Sequence, residues 1–522
     1  MRPTMLGFEV QKRTLQMANK CQDIVGNNVA NINTPGYTRQ RVDLYAMYVS
    51  GNRELRWSSY SNSLSLNGYG SNAYGVSQVR DPYIDKRYRE NVAVEAETEK
   101  TGQILSELED ILDNFESDGL QYHTQQFFNS LQDYSEEKPD SREVATIARN
   151  AATNLCRALN DYYNEIKQVE ETYVQELEDT VQYVNGILEQ MNYLNDRIAR
   201  EKFHYPNDYG PNELYDELNM YIDELATYGN ISFQLNSNGT YSVDMAGVRI
   251  LDGEKFKTNS IIMKDYDDYG EAILHFSSGE DLILSNGILK GYQNMINGNG
   301  VYATGNQNGF YGIAYFKSAL NAFASTIADT FNKANGYEEP GYENRAMFMA
   351  QLDGIENDSV VITAGNIHVS EAWMADPTMI GQTRTLEDGT GNYQYGYSEI
   401  TDENGNVTLQ NTNVLYLLSQ FDNTKLSFGN ANDFKGSVYE YIAFVSNRLG
   451  QTISYEKSRY DSAVVTVNTL LDARDDVSGV TLDEEGINML NYQKWFSASS
   501  RLTTTIDDML DKLINGTGRV GL

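Results

Sequence analysis

Cysteine is nearly absent: Cys21 and Cys156 are the only two in 522 residues. Neither lies in a metal-ligand or redox spacing, so two free, buried thiols are expected, and a disulfide framework is excluded by the count alone. The four histidines, His123, His204, His275 and His368, are too scattered to share a ligand set. No run approaches the ~18 apolar residues of a membrane-spanning helix. The opening Met1-Arg2-Pro3-Thr4-Met5 lacks the layout of a cleaved secretory signal. Basic side chains are also scarce, 40 Lys and Arg against 74 Asp and Glu, a net charge of −34. That balance argues against nucleic acid and anionic membrane as partners, because both need a basic face, and no membrane insertion is expected. Only eight prolines interrupt the chain, which leaves room for long helices.

What is present is a folded, acidic composition, 40% apolar and 22% charged, long enough for two to four domains of roughly 100–200 residues each. Both ends carry a seven-residue apolar repeat. Val10, Met17 and Ile24 form one series over Thr4–Asn31, with Thr14, Cys21 and Asn28 four places later as a weaker second. Near the other end Leu482, Met489, Phe496, Thr503 and Leu510 form one series, and Tyr492, Ser499, Ile506 and Leu513 the other. Residues 1–56 carry eight basic and four acidic side chains, and residues 480–522 four and six. Opposite signs favour pairing of the two terminal helices, whose apolar stripes are too narrow to stand alone; two independent surface helices are the alternative.

Between them the pattern is helical, then β-rich, then helical again. Val92, Ile104, Leu105, Leu108, Ile111, Leu112 and Phe115 predict a long helix after Pro82. Pro139-Asp140-Ser141 starts another, whose stripe from Val144 to Ile198 covers 54 residues in 15 steps. That period of 3.6 matches an unstrained helix, so the rod is expected to run nearly straight. Alternation at Ile231–Leu235 and Tyr241–Val243 about Asn236-Ser237-Asn238-Gly239 predicts a hairpin, with further strands at Ile261–Met263, Ala272–Phe276 and Leu282–Leu284. Helices return at Ile313–Ala334 and Asp433–Ala473. The expected fold is mainly α with β-rich inserts. Residues 1–45 with 478–522 form a coiled-coil-like stem, and 46–228 with 310–340 and 431–477 a helical shaft. An inserted β-domain occupies 229–309, and a loop-rich mixed insert 341–430.

The segment Gly26-Asn27-Asn28-Val29-Ala30-Asn31-Ile32-Asn33-Thr34-Pro35-Gly36-Tyr37-Thr38-Arg39-Gln40 resembles the N-terminal signature of flagellar rod, hook and hook-associated proteins. Its Tyr-Thr-Arg-Gln ending is closer to the hook-associated branch than to the rod and hook branches. Ser478–Glu485, Asn491-Tyr492-Gln493, Thr503–Leu510 and Ile514–Leu522 resemble the C-terminal part of the same branch. Gly486 and Trp495-Phe496 depart from it, and Gly486 lowers helix propensity by about 1 kcal/mol where that helix should begin.

The resemblance implies a structural axial subunit at the hook–filament junction, exported through the flagellar type III apparatus without a cleaved signal and located outside the cell. It implies self-association into a tubular layer, with the terminal helices lining the tube and the inserts facing outward. Implied partners are the hook protein, the second junction protein, filament proteins and a cytoplasmic export chaperone at the C-terminal helix. Expected assembly residues are Val10, Met17, Ile24, Asn27, Asn28, Asn31, Asn33, Pro35, Tyr37, Arg39 and Gln40, with Met489, Tyr492, Phe496, Ile506, Leu510 and Leu513. For the Asn27–Gln40 group a capped helix end with a turn is a compatible alternative.

Enzyme chemistry finds no support in the sequence. The acidic clusters Asp265–Glu271 and Asp402–Asn406 lack a calcium-loop ligand pattern and read as hairpin turns. Gly298-Asn299-Gly300 lacks the strand–helix context of a dinucleotide site. No cofactor and no enzymatic activity are expected. Two other functions stay open at this point: a hook or distal-rod subunit, and outer inserts with binding or peptidoglycan-hydrolase activity.

Overall fold

The computed structural model describes residues 4–46, 70–117, 119–204, 211–264, 272–300, 309–339, 343–352, 354–386, 393–401, 404–429 and 434–516. It is mainly helical, with seven small antiparallel sheets, in agreement with the expected fold class. The chain opens with α1 (Thr4–Ala30), then a hairpin of β1 (Gln40–Ala46) and β2 (Ser71–Gln78). Four helices follow: α2 (Pro82–Ser117), α3 (Leu120–Glu136), α4 (Arg142–His204) and α5 (Asn212–Tyr228).

At 63 residues, α4 spans about 95 Å at ~1.5 Å per residue. Ile166, Leu177, Val184, Met191 and Ile198 along its predicted stripe are all 0% exposed. The stripe is covered in turn by α3, α5 and the elements introduced below, so α4 is the spine against which the insertions dock.

The β-rich part is a meander of β3 (Ile231–Leu235), β4 (Tyr241–Met245), β5 (Val248–Asp252) and β6 (Lys257–Thr258), then a pair of β7 (Ile261–Lys264) and β8 (Ile273–Phe276). Two helices come next, α6 (Ile288–Ile296) and α7 (Ile313–Ala334). In the mixed segment β9 (Phe348–Leu352) lies between β10 (Ile355–Glu356) and β11 (Ile367–Val369), followed by α8 (Glu371–Ala375). Hairpins β12 (Thr383–Leu386) with β13 (Tyr393–Gly396) and β14 (Ser398–Thr401) with β15 (Val407–Gln410) precede α9 (Thr412–Ser419). A last pair, β16 (Leu426–Phe428) and β17 (Phe434–Gly436), leads into α10 (Val438–Ser478) and α11 (Leu482–Asn515).

Two sequence expectations are corrected here. Leu282–Leu284 is not a strand; Leu282 makes one backbone bond to Leu274 O at 3.0 Å, and the alternation reflects two leucines tucked inward around an Ile283 that is 79% exposed. The late helix begins at Val438 instead of Asp433. There Ser437 and Glu440 form a capping box, and the preceding Phe434–Gly436 is taken into β17. The helices α3, α5, α6, α8 and α9 and the β1–β2 hairpin were not foreseen. The acidic residues 265–271 and 402–403 lie outside the described residues, although the strands on either side of each pair antiparallel.

The return path runs antiparallel to the outgoing one. Along α2 and α10, Asp85 meets Arg474 at 2.8 Å, and further up Glu97 lies 3.7 Å from Arg459. Glu97 and Glu456 are both buried beside that single guanidinium. Desolvation raises both carboxyls above the usual range, and Arg459 pulls them back. In the spine, Leu177→Ala should cost about 3 kcal/mol, the transfer of a fully buried side chain plus its cavity. Urea denaturation followed by circular dichroism checks this, and a loss below about 1 kcal/mol would mean that α4 is not the packed spine described.

Candidate functional site

The terminal helices α1 and α11 pack antiparallel in a fixed register. The Asn28 amide donates to Glu485 Oε2 at 3.3 Å. Seven residues down α1 and seven up α11, the Cys21 thiol lies close enough to the Tyr492 phenol to help raise its pKa, after burial, which is the larger cause. At the far end a Cβ on Gly7 would lie 3.4 Å from Ile506 Cδ1. The same step puts Thr14 level with Ser499, and Ile24, Met17 and Val10 level with Met489, Phe496 and Thr503. The heptads of the two ends therefore mesh, as knobs and holes require.

The series the sequence marks as weaker is at least as buried: Cys21 is 2% and Asn28 1% exposed, beside Ala18 and Val25, while Val10 and Ile24 are half-buried. The hairpin covers α1 from another side. Ser71 Oγ lies 3.3 Å from Met17 Sδ, and a Cβ on Gly70 would lie 3.1 Å from Val10 Cγ1.

The Asn-rich segment after α1 forms a polar knot. Asn28 uses all four hydrogen-bonding capacities of its amide. Its Nδ2 donates to Gln40 O at 2.9 Å and to Glu485, and its Oδ1 accepts from Gln40 N at 3.0 Å and from the Tyr37 hydroxyl at 2.8 Å. Asn27 Nδ2 donates to the Tyr37 hydroxyl at 3.3 Å, and Asn31 Nδ2 donates back to Asn27 O at 2.9 Å. Burial, then Asp216, Glu213 and Glu485, push the Tyr37 phenol up to about 12, so it stays a donor. Arg39 N donates to Ser478 O at 2.9 Å, and the Arg39 guanidinium pairs with Glu484. Gly36, in the turn, has a φ of +75°, which glycine alone adopts without strain.

The predicted assembly residues thus fall into two groups. Asn27, Asn28, Asn31, Tyr37, Arg39 and Gln40 make bonds within the chain, while Asn33 and Pro35 are exposed. On α11 only Glu485 and Ser499 are buried. Met489, Tyr492, Ile506 and Leu510 are half-buried, and Phe496 and Leu513 stand 37% and 58% exposed. Gly486 lies inside the helix, one turn after its start, with open space around it.

A further exposed row was missed by sequence reasoning: Trp495, Leu502 and Met509, again seven apart, at 42%, 52% and 58%. Its spacing was the available signal. Among the described residues no group of three or more His, Cys, Asp or Glu could hold a metal ion, and no helix is long and apolar enough to cross a membrane.

Asn28→Ala should cost about 3 kcal/mol, because it strands a buried carboxylate, a hydroxyl and two backbone groups. Limited proteolysis would show it as faster cutting in α1 and α11 with the α2–α10 body still resistant. Cutting no faster than in the unaltered chain would deny the knot its role.

Comparison with known proteins gives the same picture along the whole chain. A family model described as flagellar hook-associated protein FlgK helical domain matches residues 105–348. Models described as flagella basal body rod protein and flagellar basal body rod FlgEFG protein C-terminal match 8–38 and 476–516, the two halves of the α1–α11 pair. Flagellar hook-associated protein 1 of Bacillus subtilis is 27% identical over 99% of both chains. The protein of that name from Salmonella typhimurium is 22% identical over 96% of this chain and 98% of its own. The flagellar hook junction protein FlgK of Burkholderia pseudomallei has a similar fold, with a TM-score of 0.57 at 13% identity over 75% of this chain and 100% of that one. With its terminal pair, its helical body and its full length all matching in this way, the chain is similar to flagellar hook-associated protein 1 from end to end.

Proposed function

We propose that the chain is a structural subunit of the flagellum at the hook–filament junction, a mechanical adapter assembled by packing of terminal helices between copies. The observation that carries this reading is the α11 surface. A helix paired along one side with α1 still presents Trp495, Leu502 and Met509 to solvent in a regular row, with Phe496 and Leu513 beside it. Apolar rows at heptad spacing gain by meeting further helices, so neighbouring copies would complete the core and supply the ordering cost of the stem. The match of 105–348 to the hook-associated helical-domain model favours this position over a hook or distal-rod subunit.

The finer parts of the proposal follow the same geometry. Residues 1–45 with 478–522 would form the inner stem, 46–228 with 310–340 and 431–477 the shaft, and 229–309 and 341–430 the outer inserts. Contacts between copies would use the exposed α11 positions together with Asn33 and Pro35, while the remaining knot residues hold the stem in shape. Partners would be the hook protein on one side, the second junction protein and filament proteins on the other, and before assembly a cytoplasmic chaperone on α11. The chain would leave the cell without a cleaved signal.

Two measurements test this. In a deletion strain, electron microscopy should show hooks without filaments, with flagellin shed as monomer into the medium; normal filaments would refute the junction role, and absence of hooks would move the protein to the rod or hook. In the complemented strain, Leu502→Glu with Met509→Glu should leave the isolated subunit folded, with a melting temperature within a few degrees, because both side chains already face water. It should nevertheless abolish filament growth. Full motility in that variant would remove the exposed row from the assembly interface.

A further inference from the structure

Two of the polar bonds that join the α1–β1 turn and the hairpin to the helical body converge on one carboxyl. Asp216, on α5 and 7% exposed, accepts the Thr38 backbone N–H through Oδ2 at 3.3 Å and the Gln78 side-chain amide through Oδ1 at 2.8 Å. Thr38 belongs to the turn that connects α1 to β1, and Gln78 is the last residue of β2. The same Gln78 amide donates to Asn212 O at 2.9 Å, and Asn212 Nδ2 donates to Val76 O at 3.2 Å. One turn further along α5, Met220 lies against the turn, where a Cβ on Gly36 would be 2.3 Å from its Sδ. One face of α5 therefore seats both chain segments by which the hairpin meets the body.

A partly buried ion-paired cluster lies close by and ties α5 to its neighbours. Arg474 of α10 bridges Asp85 at 2.8 Å and Asp223 at 2.7 Å, and Arg89 of α2 pairs with Asp223 at 2.5 Å and with Asn219 Oδ1 at 3.1 Å. The ion-paired side holds three helices of the body together. The Asp216 side, by contrast, is one carboxyl with neutral donors.

We propose that Asp216 is the latch of this joint: its two oxygens hold the Thr38 and Gln78 segments on α5 and so fix the angle at which α1 and α11 leave the body. The proposal deepens the junction reading, since an adapter's geometry depends on that angle, but its measurement uses the isolated full-length chain and can fail independently of that reading.

The latch has a built-in proton dependence. The charged and titratable groups facing Asp216 are Arg80 from the segment between β2 and α2, Glu213 from its own helix and the Tyr37 phenol from the turn. Burial pushes the carboxyl up to about 6; its hydrogen bonds with Thr38 and the charge of Arg80 pull it down, and Glu213 adds a small upward push. An opened joint returns the carboxyl to water and to its ordinary ~3.9. A group whose pKa is higher in the closed state binds its proton more tightly there. The contribution to closure is thus complete below about pH 4 and is lost as pH rises through about 6. The closed-to-open ratio falls by on the order of a hundredfold across that window. Either protonation state keeps at least one acceptor oxygen, so the latch weakens with rising pH and does not vanish.

Spin labels at Ser500→Cys on α11 and Gln190→Cys on α4, both exposed positions, report the angle as a distance distribution by pulsed electron spin resonance. The native cysteines are buried and do not compete for label. The unaltered latch should give a narrow distribution at pH 5 that broadens at pH 8. Asp216→Ala should be broad at both, and the isosteric Asp216→Asn should lose the pH response, with thermal melting confirming that each variant is folded. A folded Asp216→Ala as narrow as the unaltered chain, or a pH response that persists in Asp216→Asn, would overturn the proposal.

Discussion

Asn28 sits 1% exposed with both amide protons and both lone-pair directions of its oxygen occupied, and the terminal architecture is built around that arrangement. One side chain fixes where α1 stops, how the turn carrying Tyr37 folds back, where β1 begins through Gln40 and where α11 begins through Glu485. An apolar residue there would pack but would fix none of these. Heptad seams tolerate sliding by seven residues, whereas a fully bonded buried amide has a single register. The regular meshing of Cys21 with Tyr492 and Gly7 with Ile506 is then the continuation of a register that Asn28 sets at one end.

The structure separates two kinds of adhesion. Inside the body, contacts are apolar and completed within one chain, as along α4, or ionic and largely shielded, as in the Arg89–Asp223–Arg474 cluster. On α11 they are apolar and left half finished. A helix of 34 residues with only Glu485 and Ser499 buried cannot draw much stability from its own fold. Its remaining apolar surface is available to other copies, and this division suits a subunit that stays soluble alone and becomes rigid in an assembly. A net charge of −34 serves the first condition by mutual repulsion.

Long-range periodicity was legible in the sequence because helices longer than about 20 residues average over local exceptions. The stripe of α4 and both terminal heptads came through for that reason. The Asn-rich segment was legible as a signature, though not as a set of internal bonds, since hydrogen-bond partners 12 and 457 residues away leave no local mark. Short or acidic helices such as α5, and the β1–β2 hairpin with its long connection, gave no comparable pattern. Asp216 is the clearest case. In the sequence it is one acid among 74, and only its place beside Thr38 and Gln78 distinguishes it. Trp495, Leu502 and Met509 were within reach, but they were masked by the stronger series beside them.

The bond between Asn28 and Glu485 joins residues 457 positions apart. Closing a loop of that length costs roughly 5 kcal/mol in chain entropy beyond a constant. It also imposes a chronology. However early α1 emerges, its partner is made only after α2–α10, so the body can form while α1 still waits. A chain cut between α10 and α11 would keep the residues of its core and yet have no stem to offer. The stem therefore acts as a receipt for translation past α10, and only molecules that include α11 carry one.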